Sequence, residues 1–231
     1  MKIAVIGASG LTGTKIVDLL TGRGHEVVAA SRQTGVDVLT GEGLADALRG
    51  ADVLVDVTNS PSFEDDPVME FFTASTTNLV AAAKEAEVGH YVVLSIVGVD
   101  GLPDSGYMRA KAAQEKLVVE SGLPYTIVRA TQFTEFTDAI TDSMADGDTI
   151  RVPDAFIQPI AADDVATEVA AQAAGEPVRG IVNIGGPQKI SFEQMAREVL
   201  TRRGEDKTVA VDPQARYFGT RLQRDSLVTA D

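Results

Sequence analysis

"IAVIGASGLTG", residues 3–13, decides the architecture of this chain of 231 residues. The apolar run Ile3 to Ile6 stops abruptly at Gly7 and reads as a short buried strand. Leu11, Ile16, Leu19 and Leu20 then follow at near-helical spacing until Gly22 and Gly24 end the pattern. Between strand and helix, Gly7, Gly10 and Gly13 recur every third position. Such a glycine triplet is a variant of the G-x-G-x-x-G turn. Backbone without Cβ atoms lets a pyrophosphate approach the amide N–H groups at a helix N-terminus. The context of strand, turn and helix is the one this motif requires. Gly7, Ser9, Gly10, Leu11, Thr12 and Gly13 are therefore expected to line a dinucleotide. A Walker-type nucleotide loop is excluded, because no Gly-Lys-Ser/Thr follows.

Outward from this turn the rhythm repeats. "EVVAAS" (26–31), "DVLVDVT" (52–58), "YVVLSIV" (91–97) and "YTIVRA" (125–130) read as further strands, separated by helical stretches near 66–87 and 107–121. The second of these helices is expected to present Ala110, Ala113 and Leu117 on one side. Near-continuous Val/Ile strands alternating with helices imply an α/β fold, a Rossmann-type doubly wound parallel sheet covered on both faces. Residues 1–231 read as a single domain, with a small C-terminal substrate region drawn mainly from about 131–231. Within it, a helix near 134–145 precedes "DTIRVP". "IAADDVATEVAAQAAG" reads as a helix capped by Asp163 or Asp164, and "GIVNIGG" as a strand. "SFEQMAREVLTRRG" opens with a Ser191/Gln194 capping box and stops at Gly204. The tail from about 208 carries no strong period and is expected to pack over one edge of the main sheet.

Composition narrows the function. The net charge of −14 repels phosphate backbones, so no nucleic-acid partner is expected. No apolar run approaches the roughly 18 residues of a membrane helix, and with only a four-residue apolar run before Gly7 no secretory signal is expected. Cysteine is absent, which removes disulfides, thiolate metal sites and cysteine nucleophiles and fits a cytoplasmic location. His25 and His90 each precede an apolar run, a loop or strand-edge position rather than a metal site. No metal is expected. Self-association into a homo-oligomer is compatible with the sequence.

Cofactor choice is read at the end of the second strand. A carboxylate there would hold the ribose 2′-hydroxyl of NAD, whereas this strand ends in Ser31 and Arg32, with no acid. Both side chains suit a 2′-phosphate, so NADP(H) is favoured over NAD(H).

"SGYMRAK" (105–111) places Tyr107 and Lys111 four apart, on one face of a helix. Ligands of a doubly wound sheet lie beyond the carboxyl ends of its strands, where the fourth strand delivers Ser95. Serine, tyrosine and a lysine four residues on resemble the triad of the short-chain dehydrogenase/reductase superfamily. An ammonium beside a phenol with an ordinary pKa near 10 eases formation of the phenolate. "GASGLTG", "TNSPSF" (58–63), "SGYMRAK", "LPYTIVRATQF" (123–133) and "IQPIAADDVA" (157–166) together resemble the atypical, NmrA-like NAD(P)-binding group of that superfamily. Ala130 departs from it, standing where many relatives carry proline.

That resemblance implies catalytic roles for Ser95, Tyr107 and Lys111, with Lys111 also on the nicotinamide ribose. It implies further that Thr58 and Asn59 lie against the cofactor and that Thr131, Gln132 and Phe133 line the substrate side. Phe63 joins them as an aromatic rim residue, with Phe136, Tyr217 and Phe218 as further candidates. The expected activity is NADP-dependent hydride transfer to a small-molecule acceptor, a carbonyl or quinone, with Tyr107 as proton donor. A non-catalytic NAD(P) redox sensor that binds a protein partner is the alternative. A nucleotide-sugar epimerase, which uses the same triad, is disfavoured by the roughly 100 residues left for a substrate domain.

Overall fold

In the computed structural model, which describes residues 1–230, the opening unit forms as read: β1 (Lys2–Ile6), the glycine turn, then α1 (Leu11–Gly22). β2 (Glu26–Ala30), α2 (Leu44–Leu48), β3 (Val53–Asp56), α3 (Asp65–Glu85), β4 (His90–Ile96), α4 (Gly106–Glu120) and β5 (Tyr125–Ala130) follow. Then come α5 (Thr137–Ser143), β6 (Ala145–Asp146), β7 (Thr149–Val152), β8 (Phe156–Ile157), α6 (Ala162–Ala174), β9 (Gly180–Ile184), β10 (Ile190–Ser191), α7 (Phe192–Arg203) and β11 (Thr208–Val211). The main sheet has six strands in the order β2-β1-β3-β4-β5-β9, all parallel. The chain begins in the interior, runs outward to β2, then crosses back over β1 to β3. That reversal makes a switch point, with the glycine turn at its carboxyl end.

The strands are buried on both faces, as their near-continuous apolar runs require. One face packs Ile3, Val5, Val55, Val92 and Val128 under α1 and α6. The other packs Leu54, Tyr91, Val93 and Ile127 beneath α2, α3 and α4. A third apolar cluster joins Val99, Leu102 and Met108 to Ile150, Val152, Phe192, Met195, Tyr217 and Leu227.

Four local expectations change. The helix at 162–174 is not capped by Asp163 or Asp164; both lie in its first turn, and its N-cap is Ala161. The Ala162 N–H donates instead to the Glu135 carboxylate at 3.0 Å, from a residue 27 positions earlier. The tail is not featureless, because Val209 is buried in β11, which pairs parallel with β7. Nor does the tail lie over a sheet edge. Ser226 O closes on Gly98, just beyond β4, and Leu227 bridges Ile157, so it covers the carboxyl end near β4. His90 is no edge residue either: it opens a central strand, 3% exposed, with Nε2 2.9 Å from Thr126 Oγ1.

Candidate active site

Each glycine of the turn has a separate geometric reason. Gly7 lies at φ +88°, a conformation L side chains rarely adopt, and a Cβ there would sit 2.8 Å from Val57 O. At Gly13 a Cβ would meet Gly7 O at 2.2 Å, so α1 crosses the turn with no room for a methyl group. Gly10 is the N-cap of α1 and supplies no side-chain cap, leaving the helix N-terminus without a covering side chain. Ser9, Gly10 and Leu11 are exposed, while Thr12 and Gly13 are buried. This cradle of backbone at a helix N-terminus fits a pyrophosphate. Ser31 caps a single 3₁₀ turn, and its N–H donates to Thr34 Oγ1 at 2.9 Å. Arg32 beside it is exposed, and its side chain has no ion-pair partner among the described residues.

At the end of β3, Asp56 organises a polar network inside the protein. It is 1% exposed. Oδ1 accepts from Thr58 N at 3.0 Å and Thr58 Oγ1 at 2.7 Å, and Oδ2 accepts from Tyr91 Oη at 3.1 Å and Gln114 Nε2 at 2.9 Å. Lys111 completes this network. Its ammonium donates to Leu94 O at 2.8 Å and to Gln114 Oε1, and lies 4.6 Å from the centre of the Phe72 ring.

Burial lowers the Lys111 pKa to about 8, with the Asp56 and Glu115 carboxylates acting in the opposite sense. Between pH 8 and the ordinary 10.5 the unfolded chain holds this proton and the folded chain releases it, so stability rises with pH across that window. Relative to Lys111→Met, the wild type should gain about 1–2 kcal/mol between pH 8 and 9.5 in urea titrations. A constant difference would contradict the buried ammonium.

Tyr107 opens α4 behind the Ser105 N-cap. Its phenol donates to Asn59 Oδ1 at 2.9 Å, tying α4 to the loop after β3. Phe63, Phe72 and Phe218 surround the ring at centroid distances of 5.2, 6.0 and 6.3 Å. Burial pushes the phenol up to about 12, against the Asn59 hydrogen bond. Ser95 is 3% exposed near the end of β4, and its Oγ has no hydrogen-bond partner. A buried hydroxyl without a partner is costly, which fits a ligand group that supplies one.

Around this centre, Arg129 of β5 fixes the loop after β4 and the body of α4. Its guanidinium donates to Glu115 at 2.9 and 2.5 Å and to Asp100 at 2.6 Å. Removing one partner of such a buried pair costs about 3–5 kcal/mol.

The structure thus brings Asn59, Phe63 and Tyr107 into contact. It does not join Tyr107 to Lys111 by a hydrogen bond; the ammonium turns toward Leu94 and Gln114. Thr131 donates to Gln158 O, and the buried Gln132 Oε1 has no partner. Phe133 stacks on Phe136 at 5.7 Å, as a separate aromatic pair. Asp56, Tyr91, Gln114 and the Arg129–Glu115 pair were not anticipated. The buried face of α4 carries Met108, Ala110, Lys111, Gln114, Glu115 and Val118; Ala110 is buried as expected, whereas Ala113 and Leu117 are half-buried. A cavity of about 570 Å³ is walled by α7 side chains, including Arg197 and Arg202, and contains none of these residues. Among the described residues no helix is long and apolar enough to cross a membrane, and no group of three His, Cys, Asp or Glu could hold a metal.

Comparison with known proteins matches the NAD(P)H-binding family to residues 7–176. The (4-alkanoyl-5-oxo-2,5-dihydrofuran-3-yl)methyl phosphate reductase of Streptomyces griseus is 28% identical over 213 residues, 85% of this chain and 72% of that protein. The photosystem II assembly factor Ycf39 of Cyanophora paradoxa is 29% identical over 147 residues, 58% of this chain and 46% of its own. This chain therefore spans less than half of that relative. The NADPH-dependent quinone oxidoreductase of Escherichia coli, complexed with NADPH, superposes with a TM-score of 0.68 at 21% identity, covering 91% of this chain and 77% of that one. At that identity it shows a common fold.

Proposed function

The chain belongs to the NAD(P)H-binding family, with relatives of the atypical short-chain, NmrA-like reductase type, and on that premise we propose that it is an NADP-dependent reductase of a small carbonyl or quinone. The observation that carries this reading is the unpartnered, buried Ser95 hydroxyl, at the same carboxyl end of the sheet as the Tyr107 phenol and the glycine turn. The turn and the N-terminus of α1 would hold the pyrophosphate, with Thr58 and Asn59 against the cofactor. When bound, the reduced nicotinamide supplies the hydride.

The chain's own groups handle the proton. Ser95 Oγ donates a hydrogen bond to the acceptor oxygen and orients it. Tyr107 Oη leaves Asn59 and delivers its proton to that oxygen as negative charge builds there. Contrary to the expectation that Lys111 eases phenolate formation, burial pushes the phenol up to about 12. It therefore stays protonated at neutral pH but gives up its proton less readily than an ordinary phenol. Lys111 stabilises the resulting phenolate by its charge, and the Asp56–Gln114 network holds it in place. The Streptomyces relative is a reductase by name, which agrees with this direction.

Arg32 and Ser31 would take the 2′-phosphate. Arg32→Glu should raise KM for NADPH at least tenfold and leave KM for NADH within about twofold, because it places a carboxylate against the phosphate. Equal effects on both coenzymes would remove the NADP preference.

The sensing alternative draws on one observation: the Tyr107 phenol is already satisfied by Asn59 and shielded by aromatic rings. NADPH binding without turnover of any carbonyl or quinone would favour it over the reductase.

A further inference from the structure

Phe218 combines an unfavourable backbone conformation with an edge-on contact to Tyr217 at 4.7 Å. It sits with Gly219 at the tip of a hairpin closed by Tyr217 N–H to Thr220 O at 2.8 Å and Thr220 N–H to Tyr217 O at 3.1 Å. Both tip residues have positive φ, +46° for Phe218 and +80° for Gly219. Glycine or asparagine meets that demand at little cost, whereas a bulky aromatic is strained there. Nor is the strain offset by full burial, since Phe218 remains 44% exposed. Its neighbour Tyr217 is the residue that anchors the hairpin, 4% exposed and edge-on to Phe192 at 5.7 Å.

The Phe218 ring is directed at the candidate site. It lies 5.9 Å from Phe63 and 6.3 Å from Tyr107, at only 30° to the Tyr107 plane. Phe63 is itself 53% exposed and 5.2 Å from Tyr107. Two incompletely buried rings, from the loop after β3 and from the far C-terminal region, thus flank one phenol. Strained backbone kept at such a place points to function.

We propose that Phe218, with Phe63, forms an aromatic clamp that makes Phe218 the specificity-determining residue for planar ring acceptors, stacking on the ring whose carbonyl meets Tyr107. This rests on the reductase reading and adds to it the acceptor class. Offset ring stacking is worth about five- to tenfold in affinity, and an aliphatic carbonyl offers no face to it.

The test compares naphthaldehyde with methylglyoxal, at saturating NADPH, in wild type, Phe218→Gly and Phe218→Tyr. The glycine variant should lower kcat/KM for naphthaldehyde about five- to tenfold, mainly through KM, and leave methylglyoxal within about twofold. Its Tm should hold or rise, because glycine relieves the positive φ. The tyrosine variant should keep the wild-type preference. Parallel loss on both acceptors, an unchanged naphthaldehyde KM, or a Tm lowered by several degrees would each overturn the proposal. If wild type oxidises NADPH with neither acceptor nor with a naphthoquinone, the reductase reading fails. Calorimetric titration of naphthaldehyde into the NADPH-loaded protein then decides the clamp alone: tighter binding to wild type than to the glycine variant upholds it, and equal binding overturns it.

Discussion

Tyr107→Phe is expected to slow the chemical step of carbonyl reduction by about 10²–10⁴-fold, the usual worth of a positioned general acid. Coenzyme affinity should stay within about twofold, because Asn59, which loses the phenol's hydrogen bond, still accepts from Ser60 N at 3.0 Å. The ring remains among Phe63, Phe72 and Phe218, so the packing of α4 survives the change. Single-turnover kinetics separate the two effects. Binding is best read from nicotinamide emission, since the chain has no tryptophan to quench. An unchanged rate with a carbonyl acceptor would remove Tyr107 as the proton donor.

Gly13→Ala should damage fold and coenzyme binding together. Its Cβ would stand 2.2 Å from Gly7 O and 2.9 Å from Ala8 Cα, and both are backbone atoms of the turn itself. Relief requires α1 to move off the turn, which spoils the cradle for the pyrophosphate and opens the packing of Ile16 and Leu20. We expect destabilisation of about 3 kcal/mol or more and at least a hundredfold loss of NADPH affinity. Gly22→Ala is the control, because nothing lies within 4 Å of its Cβ. That change should be neutral or stabilise by up to about 1 kcal/mol in thermal melts. Similar losses from both variants would mean that α1, rather than the turn, is the sensitive element.

The legible part of the fold was the part governed by local rules. Val/Ile runs broken by glycine marked β1 to β5, and Ser191 and Gly204 marked the ends of α7, where the structure has an N-cap and a left-handed C-cap. α4 was read only in part: Ala110 is buried as expected, but hydrophobic periodicity assumes an apolar inner face. This helix buries Lys111, Gln114 and Glu115, satisfied by Asp56 and Arg129 from β3 and β5. Those partners are 58 and 14 residues away, and no spacing rule connects them. A faint signal did exist: Asp56 and Arg129 are charged residues inside otherwise apolar strand runs, and buried charges demand partners. Capping of α6 by Glu135 and the return of 226–228 to Gly98 likewise depend on tertiary contacts alone.

The most direct test of the account supplies NADPH carrying deuterium at the transferable position of the nicotinamide and follows reduction of an aryl aldehyde by mass spectrometry. The account predicts one deuterium on the product's carbinol carbon, and loss of that product in Tyr107→Phe. Tight NADPH binding with no labelled alcohol from any aldehyde offered, and no NADPH oxidation by quinones, would contradict it and leave the chain a binder of the coenzyme.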